Sequence, residues 1–312
     1  MQTLYTERPA NFSQISPFVS EQIEEINESI LINRKIFFYD TCSFRYHSNF
    51  KNDEQKILTD YFKSADAAIF ITRCILMELA SISGELNEEY VAFFRLLSEN
   101  GIRIFVLDEE KVFNILSECF SDRVRINDYL TWAVRMLNKP VSTIRELLEN
   151  DVTLYKLIIE GKNHDSSSIY QRFFRALRSA KEQGDNLGEE ILSIVIQILS
   201  HLPGTADGKY CLITDDRNAA GQVATQIINT GRQHAGARII IYSTPKLVQT
   251  IYNLRDGITE NNMIKMLSVV FGSNVRVSGL KEYDFEIDYD ISLAAADLAR
   301  LIMKPNGIKI VF

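Results

Sequence analysis

Little in this chain supports redox, zinc or nucleotide-loop chemistry. Its 4 cysteines, Cys42, Cys74, Cys119 and Cys211, are widely separated and form no CxxC pair, so the usual signals of a zinc site or redox couple are missing. They are expected to be reduced, with Cys74 and Cys211 as small core residues. The 4 histidines, His47, His164, His201 and His234, fall at no ligand spacing, and no GxSxG, Walker or Gly-rich phosphate loop is found among the 14 glycines. No run approaches the roughly 18 apolar residues of a membrane span. The opening MQTLYTERPANFSQISPF lacks the continuous apolar core of a secretory leader. A soluble, cytoplasmic protein with no membrane partner is the expectation.

With 312 residues and 46% hydrophobic content, the chain can bury one large core or two modest ones. A net charge of −7 argues at first against a nucleic-acid partner. That objection weakens if several acids bind metal, because the local distribution of charge outweighs its sum.

Short apolar runs alternate with helical patterns. Ser16-Pro17 has the form of an N-cap and an N1 proline, and Phe18, Ile23, Ile26 and Ile30 follow at helical spacing, predicting a helix over about 17–32. KIFFY (35–39), AAIFIT (67–72), RIFVL (103–107), YCLIT (210–214) and ARIIIY (237–242) look like strands buried on both faces. Helices are expected at about 52–64, from 75–81 onward, and at about 87–99, 109–119, 189–202 and 218–230. Residues 120–182 carry helical patterns and almost no strand signal. A helix beginning near Pro245 leads into a tail of two short strands, a helix and a final strand. This alternation predicts a parallel α/β sheet with helices on both faces. Ligands of such sheets bind beyond the carboxyl ends of the strands.

Acids stand at those ends. Asp40 follows KIFFY, Asp215 and Asp216 follow YCLIT, and Glu78 lies among Ile75, Leu76, Met77 and Leu79. Singly, an acid at a strand-to-helix junction also reads as an N-cap, and Glu78 also reads as the wet side of an amphipathic helix. Jointly, carboxylates from distant strands make the donor set of a hard divalent cation.

The order of these acids resembles the PIN domain family of metal-dependent ribonucleases. FFYDTCSF supplies Asp40 at the end of the first strand, ILMELAS supplies Glu78 in an apolar "EL" context, and LITDDRN supplies Asp216 two residues after Thr214. TDDRN looks particularly like the PIN domains of RNA-surveillance endonucleases. The family's third acid opens the helix before the fourth strand and is usually Asp. Here GDNLGEEILSIVIQIL offers Glu189, two residues before the apolar run at Ile191, with Glu190 and Asp185 as alternatives.

The resemblance covers roughly 34–120 and 183–245. It implies a PIN-like parallel sheet flanked by helices in a nuclease domain over 34–245, with a helical insertion at about 120–182. An N-terminal helical extension (1–33) and a C-terminal α/β extension (246–312) lie outside it. It further implies an endoribonuclease that hydrolyses RNA through Mg²⁺ or Mn²⁺ held by Asp40, Glu78, Glu189 and Asp216, with Asp215 supporting the metal site from behind. A non-catalytic PIN-like module that binds RNA or a protein is the alternative. A haloacid-dehalogenase type of phosphatase with Asp40 as nucleophile fits less well, because DTCSF lacks the second Asp of the DxD motif.

An RNA path needs positive charge beside the acids. Arg45 and Arg217 adjoin them in sequence, and Thr214 and Ser43 offer hydroxyls to a phosphate oxygen or a metal-bound water. Arg172, Arg175, Arg178 and Lys181 recur every three residues, interleaved with Tyr170, Phe173 and Phe174, as either a phosphate-contacting ladder or a solvated helix face. Single-stranded RNA is the expected substrate, and a second copy or a regulatory protein stays open as a partner. Four carboxylates gathered without metal repel one another, so at least one is expected to titrate above its ordinary range.

Overall fold

The structure is a computed structural model, and it describes residues 5–137, 142–161, 168–217, 236–254, 257–280 and 287–312. Five parallel strands form the main sheet in the order β3-β2-β1-β4-β5: β1 Lys35–Tyr39, β2 Ala67–Thr72, β3 Arg103–Leu107, β4 Tyr210–Ile213 and β5 Ile240–Tyr242. Phe37 and Phe38 of β1 pair in register with Ile69 and Phe70 of β2 on one side and with Cys211 and Leu212 of β4 on the other. All of these side chains are buried, which is why the strands read as continuous apolar runs rather than as alternating ones.

Helices flank the sheet. The first part of the chain contributes α1 (Ile23–Ile32), α2 (Thr41–Ser48), α3 (Asn52–Ser64), α4 (Arg73–Leu79), α5 (Glu88–Glu99) and α6 (Val112–Cys119). Residues 123–179 contribute α7 (Arg123–Arg135), α8 (Thr143–Asn150), α9 (Val152–Ile158) and α10 (Tyr170–Ser179), and among the described residues this stretch holds no strand. The long apolar α11 (Leu187–Leu199) then leads to β4. After β5 come α12 (Thr244–Asn253), with Pro245 in its first turn, and α13 (Glu260–Phe271), opened by a Thr259–Asn262 capping box. The tail forms a second, antiparallel sheet of β6 (Asn274–Leu280), β7 (Ile287–Ala294) and β8 (Lys309–Ile310), with α14 (Ala295–Met303) between β7 and β8.

The expected elements match closely except at two places. The first helix begins at Ile23, not near residue 17, because Ser20 pairs with the edge of β3 through Ser20 N–H to Ile104 O and Val106 N–H to Ser20 O, each 2.9 Å. Edge pairing thus wins over a local helix-start signal. β5 is confined to Ile240–Tyr242, shorter than ARIIIY suggests, and the helix expected over 218–230 lies outside the described residues.

The strand order sets the place of the site. The chain moves outward from β1 to β2 and β3, then returns to lay β4 on the other side of β1. The switch point between β1 and β4 leaves a crevice beyond their carboxyl ends, where Asp40 and the 214–216 segment lie.

Candidate functional site

Asp40 caps α2 and is nearly fully buried. Its Oδ1 accepts from the Thr41 N–H at 2.6 Å, while Oδ2 accepts from Cys42 Sγ at 2.8 Å and Thr214 Oγ1 at 2.9 Å. The capping and site readings of this acid are therefore compatible. Burial pushes its pKa up to about 6 against these hydrogen bonds, and the Glu78 carboxylate adds to the rise.

Glu78 projects from the last turn of α4 into the same crevice, although Ile75, Leu76, Met77 and Leu79 around it are buried. Oε2 accepts from the Thr41 hydroxyl, and Oε1 lies 3.0 Å from Lys181 Nζ. Gly188 faces this carboxyl so closely that a Cβ there would stand 2.9 Å from Glu78 Cδ. A glycine in the first turn of α11 gives up helix propensity for that approach.

The three candidates for the third acid have separate fates. Glu190 turns away and caps α8, accepting from Ser142 Oγ at 3.0 Å, Thr143 N–H at 3.2 Å and Ile144 N–H at 2.9 Å. Asp185 accepts from the Glu182 N–H at 2.7 Å and the Leu187 N–H at 3.1 Å, and it pairs with Lys181. Glu189 lines the pocket with Asp40 and Glu78, and its Oε2 is buried with no hydrogen-bond partner. Its pKa rises to about 8, first through burial and then through repulsion from Glu78, Asp40 and Asp216.

Asp215 and Asp216 diverge. Asp215 ties three elements together, accepting from Ser43 Oγ at 2.7 Å, Thr244 N–H at 2.6 Å and Thr244 Oγ1 at 2.7 Å. Thr244 Oγ1 also meets His47 Nε2 at 2.9 Å, and His47 Nδ1 meets Tyr39 OH at 2.9 Å, so a buried polar chain runs behind the crevice. Asp216, by contrast, is close enough to Glu189 to raise its pKa, and its backbone N–H donates to Thr214 Oγ1 at 3.1 Å. The hydroxyls of Thr214 and Ser43 are thus given to Asp40 and Asp215.

Asp40, Glu78 and Glu189 line one cavity of about 500 Å³, together with Thr41, Cys42, Arg45, Lys181, Asp185 and Tyr5. Arg45 donates Nη2 to the Glu78 carbonyl at 2.9 Å, and its Nε is buried without a partner. Arg217 reaches the second sheet, donating to Ser278 Oγ at 3.5 Å. The basic ladder on α10 divides: Arg172 is exposed, Arg175 is exposed and paired with Glu110 at 3.1 Å, and Arg178 is buried among Glu7, Asp108, Glu109 and Glu110. Tyr170, Phe173 and Phe174 pack in the core, so they give bases no stacking surface.

Among the described residues, no three His, Cys, Asp or Glu side chains form a group that would hold a metal ion as they stand. The donors that approach one another are oxygens, the class Mg²⁺ and Mn²⁺ prefer. One of them, Glu189 Oε2, has no partner in the protein, and two of the acids are pushed upward in the way that a nearby cation would reverse. Oxygen chemistry and the orphaned atom fit a divalent cation on the Asp40 and Glu189 side, while Lys181 covers the Glu78 side.

Sequence reasoning missed Thr41, Cys42 and Tyr5 as lining residues and placed Lys181 on an outward face. Lys181 instead pairs with Asp185 across the turn at Gln183-Gly184, outside both α10 and α11, so no helical spacing announced it. Gly188 beside Glu189 was the signal for a close approach. No family model, no curated protein and no solved structure matches this chain.

Proposed function

We propose that this chain is a metal-dependent endoribonuclease of PIN type, hydrolysing RNA phosphodiester bonds with Mg²⁺ or Mn²⁺ held by Asp40, Glu189 and Asp216, and with Glu78 completing the acidic wall. The observation that carries the reading is Glu189 Oε2, a buried carboxylate oxygen without a partner in a cavity shared with Asp40 and Glu78 at the switch point of a parallel sheet. In this reading the sheet at 34–245 is PIN-like, 120–182 is a helical insertion, and 246–312 is an extension. A bound divalent ion supplies a water ionised near neutral pH and stabilises charge on the phosphate.

The chain's own residues do the rest. Thr41, Cys42 and Thr214 fix the Asp40 carboxylate, Asp215 fixes the backbone beside Asp216, and Arg45 stands at the pocket wall where a phosphate oxygen can meet its guanidinium. Single-stranded RNA suits an open crevice of this kind better than a duplex does, because its backbone can bend into the acids.

The Glu78–Lys181 pair favours a second reading, a non-catalytic PIN-like module that binds RNA or a protein. One experiment separates the two. Purified protein is incubated with labelled single-stranded RNA and Mn²⁺ beside the Asp40→Asn and Asp216→Asn variants. Metal-dependent cleavage lost in both variants supports the nuclease, whereas binding without cleavage in all three supports the module.

A further inference from the structure

Lys181 follows α10 directly and points back into the acidic cavity. Its side chain is 2% exposed, and its ammonium lies 3.0 Å from Glu78 Oε1 while pairing with Asp185. Asp185, which lines the same cavity, is itself held by the backbone N–H groups of Glu182 and Leu187, so the ammonium is anchored by a fixed carboxylate. The Tyr5 ring lies 5.2 Å from Nζ and covers it. Burying an ammonium is costly unless it is paired. Here two carboxylates hold one cation in place, so Lys181 behaves as a fixed part of the site.

The distribution of partners across the cavity is uneven. Both Glu78 oxygens are engaged, one by Thr41 and the other by Lys181. Both Asp40 oxygens are engaged by neutral donors, which a metal-bound carboxylate tolerates. Glu189 Oε2 has no partner. A divalent ion at Glu78 Oε1 would have to share that oxygen with an ammonium and would face like-charge repulsion at close range. An ion at Asp40 and Glu189 meets no such competitor.

We infer that Lys181 is a built-in cation of this pocket, holding the Glu78 side so that the site takes one divalent ion where the same acids alone would take two. This rests on the metal-dependent reading above. Its consequence is a mononuclear centre in which the Lys181 ammonium supplies the second positive charge.

The test is metal stoichiometry, read by titration calorimetry with Mn²⁺ and by electron paramagnetic resonance of the bound ion. Wild type is expected to bind one Mn²⁺ with the six-line spectrum of an isolated ion. Lys181→Met is expected to bind two with a spin-coupled spectrum, and Lys181→Arg to stay at one. Lys181→Gln, which keeps a donor toward Glu78, serves as the second neutral variant if Lys181→Met does not fold. Two ions in wild type, or one ion of unchanged affinity in wild type and in the folded neutral variant, would overturn the inference while leaving the metal-dependent reading in place. No Mn²⁺ binding by folded wild type would overturn both.

Discussion

Thr214 Oγ1 donates to Asp40 Oδ2 at 2.9 Å, joining the residues that follow the two strands on either side of the switch point. Both groups are buried. Thr214→Val is expected to cost about 1–3 kcal/mol in urea unfolding, the range for leaving a buried acceptor short of a donor. It should also move the Asp40 titration above its value of about 6, because a bond to the charged form is lost. Thr214→Ser should restore both. An Asp40 carboxyl whose NMR titration does not move in the Val variant would remove Thr214 from the support of this acid.

Adjacent acids should respond in opposite ways. Glu190→Ala removes the acceptor for Ser142, Thr143 and Ile144 and is expected to lose about 1–2 kcal/mol, as cap deletions do, with Mn²⁺ binding intact. Glu189→Gln removes a carboxyl whose pKa is raised from 4.5 to about 8. A raised acid stabilises the fold below its unfolded pKa, and that contribution is lost as pH rises through about 8. Metal-free Glu189→Gln should therefore melt higher than wild type at pH 8.5 and show a flatter decline between pH 5 and 8.5. If a destabilised Glu189→Gln and an unaffected Glu190→Ala were found, the assignments of the two would be reversed.

Mn²⁺ should raise the melting temperature of wild type, by about 2.7 kcal/mol of stability when present at 100 times its dissociation constant. Glu189→Gln and Asp40→Asn should abolish that rise, while Arg172→Ala, on an exposed face, should leave it unchanged. Thermal scans with and without millimolar Mn²⁺ decide it. Equal rises in all four proteins would place the metal elsewhere.

His47 gives the acid limb of stability. It is buried between Tyr39 and Thr244, and burial pushes its pKa down to about 3 from 6.5. A depressed pKa contributes stability that is present above pH 6.5 and lost as pH falls toward 3, with a slope of up to about 1.4 kcal/mol per pH unit. His47→Gln should start less stable at pH 7 and lose less on acidification. Urea midpoints at pH 7, 5.5 and 4 measure the two slopes, and parallel slopes would count against His47 as the source.

Removing the Arg178 charge is expected to be costly. It binds Glu109 at 2.7 Å and Glu110 at 2.5 Å, and Glu109 also accepts from the Cys74 N–H at the start of α4, the helix that carries Glu78. Arg178→Leu leaves Glu109 buried and unpaired, for a loss of about 3–5 kcal/mol. Arg175→Ala, three residues away but exposed, should cost under about 1 kcal/mol. Comparable losses in the two variants would mean that the buried network carries no special weight.

Most strands and helices follow from local sequence alone, because a strand buried on both faces needs an unbroken apolar run and KIFFY, AAIFIT, RIFVL and YCLIT are such runs. Local sequence also sets Asp40, Asp215 and Asp216 at strand ends, since an acid cannot continue a buried strand without a partner. Which acids meet depends on how distant segments pack. Glu189 and Glu190 are neighbours with the same chemistry, yet the rotation of about 100° between consecutive residues of α11 sends the first toward Asp40 and Glu78 and the second to the backbone of α8. The same holds on the basic side, where a period of three put Arg172, Arg175, Arg178 and Lys181 on one nominal face. Packing then buried Arg178 and Lys181 against acids contributed by distant segments. Local periodicity fixes where a side chain leaves the backbone, whereas its charge partner is set by what the fold brings opposite. That is why the acids were legible in the sequence, while the lysine among them became apparent only in three dimensions.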